Sequence, residues 1–227
     1  MKNSGDRSPS IIRRLPKYYR AICELSEITI SRVSSKELGK LTGFNPSQIR
    51  QDLNSFGGFG QQGYGYNVKN LKENLEKILN LTTKKTMVLL GVGNLGNALL
   101  NYPGFNENGF EIVAAFDRDR NKIGTEIGGV KVHDIDTLQE FLKTNTIDIA
   151  VLTLHKDVAQ RYATICAENG IRGFWNFAPK KLRLPSRAVV ENIWLNESLY
   201  TLGYFLTEKI REEDELLNNT NYDFIEK

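Results

Sequence analysis

Residues 86–100 read TMVLLGVGNLGNALL, and the rest of the chain organises around this stretch. Met87 to Leu90 is an apolar, strand-like run. Gly91, Gly93 and Gly96 follow at GxGxxG spacing, and Asn94–Asn101 continues with a helical pattern. Each glycine in such a loop has a separate task. Gly91 allows the tight turn, Gly93 lets the backbone approach a pyrophosphate, and Gly96 lets helix and strand pack closely. The helix start then offers unpaired N–H groups and a positive dipole end to the phosphates, with Val92, Asn94 and Leu95 completing the loop. Asp117 closes a second apolar run, Ile112–Phe116, 21 residues after Gly96. An acid there accepts both hydroxyls of an adenosine ribose. Strand, glycine loop, helix and acid in that order imply an adenine dinucleotide site. Arg118 leaves some room for a 2′-phosphate, but the acid favours NADH / NAD+.

Downstream, strand-like and helix-like segments alternate. Ile147–Leu154, Gly173–Phe177 and Ala188–Ile193 read as strands, and Leu138–Lys143 and Ala159–Asn169 as helices. That alternation predicts an α/β unit over residues 83–210, a Rossmann-like doubly wound parallel sheet with helices on both faces. Ligands bind at the carboxyl ends of such strands, so Thr153, Leu154 and Asn176 join the candidate cofactor contacts. His133, in an edge or loop, and His155, after the long strand, are the two histidines. His155 could shuttle a proton, although a plain loop histidine is the stronger reading. No metal-ligand spacing and no nucleophile motif stands in the sequence. Tyr102 lies eight residues along the helix, about 12 Å from its start, which places it in the core or at an interface. By its residues alone it reads as core. Glu197–Ile210 reads as helix, and residues 211–227 as a polar, frayed tail.

Residues 1–82 follow another pattern. Ile11, Leu15, Tyr18, Ile22 and Leu25 recur at helical spacing, with Pro16 marking a start or kink. Ser34 caps a short helix, Ser35–Leu41, with Leu38 and Leu41 inward and Gly43 at its end. Asn45-Pro46 opens a third helix that runs to Phe56. Ile49, Leu53 and Phe56 form its apolar back. Ser47, Gln51, Asn54 and Ser55 form its front, with Gln48 and Arg50 on the flanks. Glutamine and asparagine pair with adenine, and arginine with guanine or phosphate, so this face suits a major groove. Arg14, on the basic first helix, is counted with these DNA contacts. Asp52 would repel phosphate and is expected to pair internally with an arginine. Gly57–Gly65, GGFGQQGYG, reads as a β-ribbon whose tip, Gln61 and Gln62, could enter an A·T-rich minor groove. Val68–Leu79 returns to helix, and Thr82–Lys85 is the joint. The whole predicts a winged helix-turn-helix domain.

Composition bounds these readings. A chain of 227 residues, 40% hydrophobic and 25% charged, is neither disordered, collagen-like nor a disulfide scaffold. No apolar run approaches the ~20 residues of a membrane helix, and the polar N-terminus lacks a signal-peptide core. Cys23 and Cys166 stand far apart, so a reducing cytoplasmic location is the default. Residues 1–82 carry 13 Lys and Arg against 7 Asp and Glu, whereas residues 83–227 carry 17 against 20. A polyanion partner is therefore expected for the first part only. A DNA reader hinged to a dinucleotide domain without catalytic machinery implies a ligand-controlled repressor that reports a redox ratio. Two recognition helices one DNA turn apart imply a two-fold homodimer on a pseudo-palindromic operator, with no membrane or metal partner.

The segments RRLPKYYR, VSSKELGKLTGFNPSQIRQDLNSFGGFGQQGYGYNV, LLGVGNLGNALLNYPGF, IVAAFD and GFWNFAP together resemble the Rex family of redox-sensing transcriptional repressors. The resemblance spans roughly residues 11–206. It implies a homodimer that binds operator double-stranded DNA when NADH is low and leaves when NADH binds. It further implies that Gly91–Gly96 hold the pyrophosphate and Asp117 the ribose. Tyr102 would pack near the partner subunit's nicotinamide, which displaces the core reading. Arg50 and Gln51 match the family's base- and phosphate-contacting pair, and Gln62 stands where relatives often carry a basic wing-tip residue. The helix near Glu197–Leu206 is similar to one exchanged between subunits. One departure stands out. Asn192-Ile193-Trp194-Leu195 has Trp194 where the family commonly has a switch aspartate that links the nicotinamide tyrosine to a first-helix arginine, retained here as Arg20. Tryptophan cannot accept that salt bridge. Trp194 is expected to act by packing, either against Tyr102 of the partner subunit or against Arg20 by cation–π contact. Two alternatives stay open: an NAD-dependent oxidoreductase using His155, and a regulator whose ligand is coenzyme A or another adenine nucleotide.

Overall fold

The structure, a computed structural model, describes residues 8–61 and 64–222, with the side chains of Gln61 and residues 216–222 left out. The chain divides into two units, Met1–Lys84 and Lys85–Lys227.

In the first unit, α1 (Pro9–Glu27) buries Leu15, Tyr18, Ala21, Ile22 and Leu25 on one face. This face packs with Leu38 of α2 (Ser35–Thr42), Ile49 and Leu53 of α3 (Pro46–Asn54), and Leu71 and Leu75 of α4 (Val68–Ile78). The helix limits follow from local chemistry. Ser34 and Glu37 form a reciprocal capping box at the start of α2, and Gly43, at φ 75°, ends it in the left-handed region. Asn45 accepts the Ser47 N–H ahead of Pro46, which opens α3. Leu41, expected inward, is 48% exposed. The reason is close contact elsewhere on α2: a Cβ at Gly39 would lie 2.8 Å from the Phe44 carbonyl oxygen, so the helix packs through Leu38 and Gly39 and Leu41 turns outward. The ribbon is part of a three-stranded antiparallel sheet ordered β1 (Arg32–Val33), β3 (Gly65–Asn67), β2 (Gly60–Gln61), which completes a winged helix.

The second unit centres on a seven-stranded sheet among the described residues. In sequence its elements are β4 (Lys85–Leu90), α5 (Asn94–Leu100), α6 (Gly104–Glu107), β5 (Phe110–Asp117), β6 (Glu126–Ile127), β7 (Val130–Asp134), α7 (Leu138–Thr144), β8 (Ile149–Leu152), α8 (Lys156–Glu168), β9 (Gly173–Asn176), β10 (Val189–Asn192) and α9 (Leu195–Tyr222). The strand order is β10-β9-β8-β4-β5-β7-β6, parallel throughout except for the β6–β7 hairpin. Val88, Leu90 and Phe116 face α7 and α8; Leu89 and Val151 face Leu100 of α5 and Phe105 of α6. Helices therefore cover both faces.

One expected placement agrees and two differ. His133 lies in β7, paired with Phe116 of β5 on one side and beyond the residues that β6 covers. It has the expected edge place, in a strand and not in a loop, its ring half-buried against Phe116 and Phe141. The strand expected over Ile147–Leu154 is shorter, and its flanks serve as the loops around it. The tail expected to fray from Arg211 continues as helix to Tyr222, supported by Arg211–Glu208 and Lys209–Glu212 pairs. Among the described residues no helix is long and apolar enough to cross a membrane, and no cluster of metal-ligating side chains occurs.

Candidate nucleotide and nucleic-acid sites

The sheet reverses its winding between β4 and β8, because β4 continues to β5 on one side while β8 continues to β9 on the other. The crevice at this switch point is where open α/β sheets bind ligands. Gly91 enters it at φ 97°, and a Cβ there would meet the Thr153 carbonyl oxygen at 2.8 Å. Thr153 Oγ1 donates to the Gly91 carbonyl at 2.6 Å, fastening the loop to β8. A Cβ at Gly96 would sit 2.1 Å from the Gly91 oxygen, so only glycine lets α5 approach the loop. Gly93 is different: a Cβ there would meet nothing within 4 Å. The loop is braced on both sides and open at Gly93, between Val92 and the Asn94-Leu95 first turn of α5.

Asp117 braces the loop from the next strand. Its Oδ2 accepts the Val92 N–H at 2.5 Å, and its Oδ1 accepts the Asp119 N–H at 2.9 Å. The expected ribose acceptor thus also fixes the loop backbone. Each carboxylate oxygen has a second lone pair for a hydroxyl. Arg118 is exposed beside it, and Leu154 is half-buried at the end of β8. Asn176 is a correction. It is wholly buried, its Nδ2 donating to Lys180 O at 2.9 Å and Asn192 Oδ1 at 2.8 Å, and its Oδ1 accepting from Ala178 N at 3.1 Å. It holds the ends of β9 and β10 together and has no free amide for a ligand. His155 is exposed and lies 3.0 Å from Asp157.

Tyr102 is 57% exposed, which overturns its reading as core. Its ring lies over Gly104 and meets Phe105 edge-on at 4.8 Å; Phe105 meets Trp175 at 5.6 Å, and Trp175 meets Phe177 at 4.7 Å. Tyr102, Phe105 and Trp175 line an apolar cleft of about 510 Å³ with Met87, Ile149 and Val189. Trp194 is 41% exposed and lines a second cleft with Phe177, Pro179 and Tyr200. Arg20 is exposed, with Glu24 one turn on at 3.8 Å.

On the first unit, Ser47, Arg50, Gln51 and Asn54 are exposed along α3. Ser47 Oγ donates to Asn45 and Arg50 Nη1 donates to Ser35 Oγ at 2.9 Å, whereas the Gln51 and Asn54 amides have no side-chain partner among the described residues. Asp52, on the back of the same helix, is wholly buried and pairs with Arg14, as expected of it. Arg14 is thereby corrected from an open DNA contact to a clamp between α1 and α3. Gln48 also turns inward, its Nε2 donating to Asp52 Oδ1 at 2.8 Å. Tyr18 donates to Asp52 as well, at 2.7 Å, a role its place in an apolar stripe had hidden. The side chain of Gln61 and the whole of Gln62 lie outside the described residues.

A family profile described as "CoA binding domain" matches residues 82–180, and one described as "Putative DNA-binding protein N-terminus" matches residues 8–54. A redox-sensing transcriptional repressor Rex of Clostridioides difficile (strain 630) is 52% identical over 208 residues, covering 92% of this chain and 99% of that protein. The chain belongs to the Rex family. Two solved Rex-family structures are also similar. RSP in complex with β-NAD+ and operator DNA is 44% identical with a TM-score of 0.83, covering 92% of this chain and 96% of that one. RSP in complex with β-NADH is 40% identical with a TM-score of 0.86, covering 93% and 99%. Rex membership accounts for a winged helix and a glycine-loop sheet in one chain.

Proposed function

We propose that this chain is a cytoplasmic, homodimeric redox-sensing repressor that binds pseudo-palindromic, A·T-rich operator DNA and is released when NADH binds. The observation that carries this reading is the pairing, within one Rex-family chain, of a free amide front on α3 with a glycine loop that is open only at Gly93. The space at Gly93 fits a pyrophosphate, which a Cβ there would obstruct. The backbone from Gly91 to Gly96 holds the phosphates, Asp117 and Arg118 face the adenosine ribose, and Thr153 and Leu154 line the crevice. NADH and NAD+ differ in the charge and shape of the nicotinamide ring, and this difference is the signal. Tyr102, exposed on its aromatic row, contacts that ring in the partner subunit. Ser47, Arg50, Gln51 and Asn54 read the major groove, and Gln61 and Gln62 supply amides to the minor groove.

Dimerisation is supported by α9. Leu195, Leu199, Leu202 and Leu206 recur at helical spacing, and all are more than half exposed together with Tyr200, Tyr204 and Phe205. So broad an apolar surface on a protein requires a cover, and exchange of this helix between two copies provides one. Trp194, just before α9, takes the place of the family's switch acid by packing. If one nicotinamide form favours a domain arrangement that misplaces the two recognition helices, its binding lowers DNA affinity by that preference. The chain acts as a regulator and not as an enzyme.

A second reading keeps the regulator and changes the ligand to coenzyme A, favoured by the description of the profile that matches residues 82–180. The test is DNA affinity for an A·T-rich palindromic duplex library at fixed salt, with NAD+, NADH or coenzyme A added. Release by NADH alone establishes the redox repressor, and release by coenzyme A alone establishes the second reading. No specific binding under any condition, with NADH turnover lost in His155→Ala, would return an oxidoreductase to first place.

A further inference from the structure

If the first unit docks on DNA as proposed, its wing lacks a charge of its own. The ribbon from Gly57 to Asn67 contains no lysine or arginine. A narrow A·T-rich minor groove concentrates negative potential and draws arginine into it, so a neutral wing forgoes the strongest attraction available there. The neighbouring strand supplies a cation. Arg32 of β1 pairs in register with Asn67 of β3, which puts its exposed side chain on the wing sheet.

The position of that side chain is defined. Arg32 Nη1 donates to the Tyr64 carbonyl oxygen at 3.3 Å, and the guanidinium carbon lies 5.8 Å from the Tyr64 ring centroid. Tyr64 immediately precedes β3 and is 70% exposed. No carboxylate pairs with Arg32 among the described residues, whereas Arg14 is spent on Asp52 and Arg20 lies near Glu24. A cation–π contact at so exposed a site adds little to folding. Its consequence is orientational: a long, mobile cation is held against the wing with its charge uncancelled. Tyr64, otherwise an unexplained exposed aromatic, then has a task.

We propose that Arg32 is a phosphate-contacting residue of the wing and that Tyr64 is its positioning residue, so that this stacked pair brings the charge that Gln61 and Gln62 do not. The inference rests on the DNA-binding reading.

The test measures the affinity of the full chain for a fluorescent duplex that the unaltered protein selects from an A·T-rich palindromic library, over about 50 to 200 mM KCl. Each neutralised phosphate contributes about 0.9 to the slope of log affinity against log salt. Arg32→Ala is expected to reduce the slope by about 1.8 in a two-fold complex, with roughly tenfold weaker binding at the low-salt end. Arg32→Lys is expected to retain the slope, which shows that charge matters and not the fold. Tyr64→Ala is expected to keep most of the slope and bind roughly threefold more weakly, and Tyr64→Phe to match the unaltered chain. An unchanged slope in Arg32→Ala overturns the contact. Unaltered affinity in Tyr64→Ala overturns the positioning role. Failure of the unaltered chain to select any duplex overturns the DNA-binding reading, and this inference with it.

Discussion

Arg14 and Asp52 form a two-pronged pair across 38 residues of sequence, Nε to Oδ2 at 2.6 Å and Nη2 to Oδ1 at 2.8 Å. With Tyr18 and Gln48 also donating, one wholly buried carboxylate sets how α3 rests on α1. Removing one member of a buried ion pair strands the other. Asp52→Ala is therefore expected to destabilise the first unit by about 3 kcal/mol, read as a lower urea midpoint. NADH affinity, carried by the other unit, should stay unchanged.

The same carboxylate makes a prediction about acid. Burial pushes the Asp52 carboxyl up, but the hydrogen bonds from Arg14, Tyr18 and Gln48 outweigh it and hold the group below the usual carboxylate range. A depressed folded value stabilises the fold fully above the unfolded value, about 3.9, and that contribution is lost as pH falls through the folded one. Between about pH 5 and about pH 2.5, the first unit should lose more stability in the unaltered chain than in Asp52→Asn. Equal losses in urea titrations at the two pH values would count against the clamp.

Gly93 and Gly96 should separate ligand binding from folding. Gly96→Ala drives a methyl group into the Gly91 carbonyl and is expected to cost about 1–3 kcal/mol of stability. Gly93→Ala meets no protein atom, so Tm should hold while NADH affinity falls at least about tenfold, ~1.4 kcal/mol. Calorimetric titration and a thermal melt of both variants check the contrast.

Trp194→Ala should leave NADH binding in place and remove the NADH response of DNA binding. The side chain lines a cleft with Phe177, and Phe177 ends the row of ring contacts that begins at Tyr102 and runs through Phe105 and Trp175. An intact NADH response in DNA titrations of the variant rejects the packing role.

Charge placed on the α9 stripe should dissociate the dimer. In Leu199→Glu with Leu206→Glu, the mass by light scattering is expected to fall to the 25.8 kDa of one chain. A persistent dimer would show that α9 is not its seam.

The nucleotide loop was legible in sequence because glycine spacing and a strand-end acid are local signals whose chemistry allows few alternatives. The two faces of α3 were legible for a similar reason, since burial imposes a helical period on Ile49 and Leu53. Other features lacked such a signal or carried one that was passed over. β1 has two residues and no period to detect. Ile127-Gly128-Gly129-Val130 carries a hairpin signature, with both glycines at positive φ, that the reading of β6 and β7 missed. Asn176 looked like a ligand donor because the partners that bury it, Asn192 among them, come together only through the parallel register of β9 and β10. Tyr102 shows the limit of placing a side chain by its distance along a helix: α5 ends at Leu100, and position alone does not say which molecule covers the ring.

The way Asp117 holds Val92 bears on what the sensor measures. On the proposed reading the carboxylate and glycine loop hold the adenosine and pyrophosphate, which are chemically the same in NADH and NAD+. This end of the site therefore gives both forms equal affinity, and equal affinity shifts no equilibrium. Discrimination rests on the few atoms around the nicotinamide. Weakening the adenosine end would raise the total nucleotide needed for occupancy and leave the ratio at which the protein responds where it was.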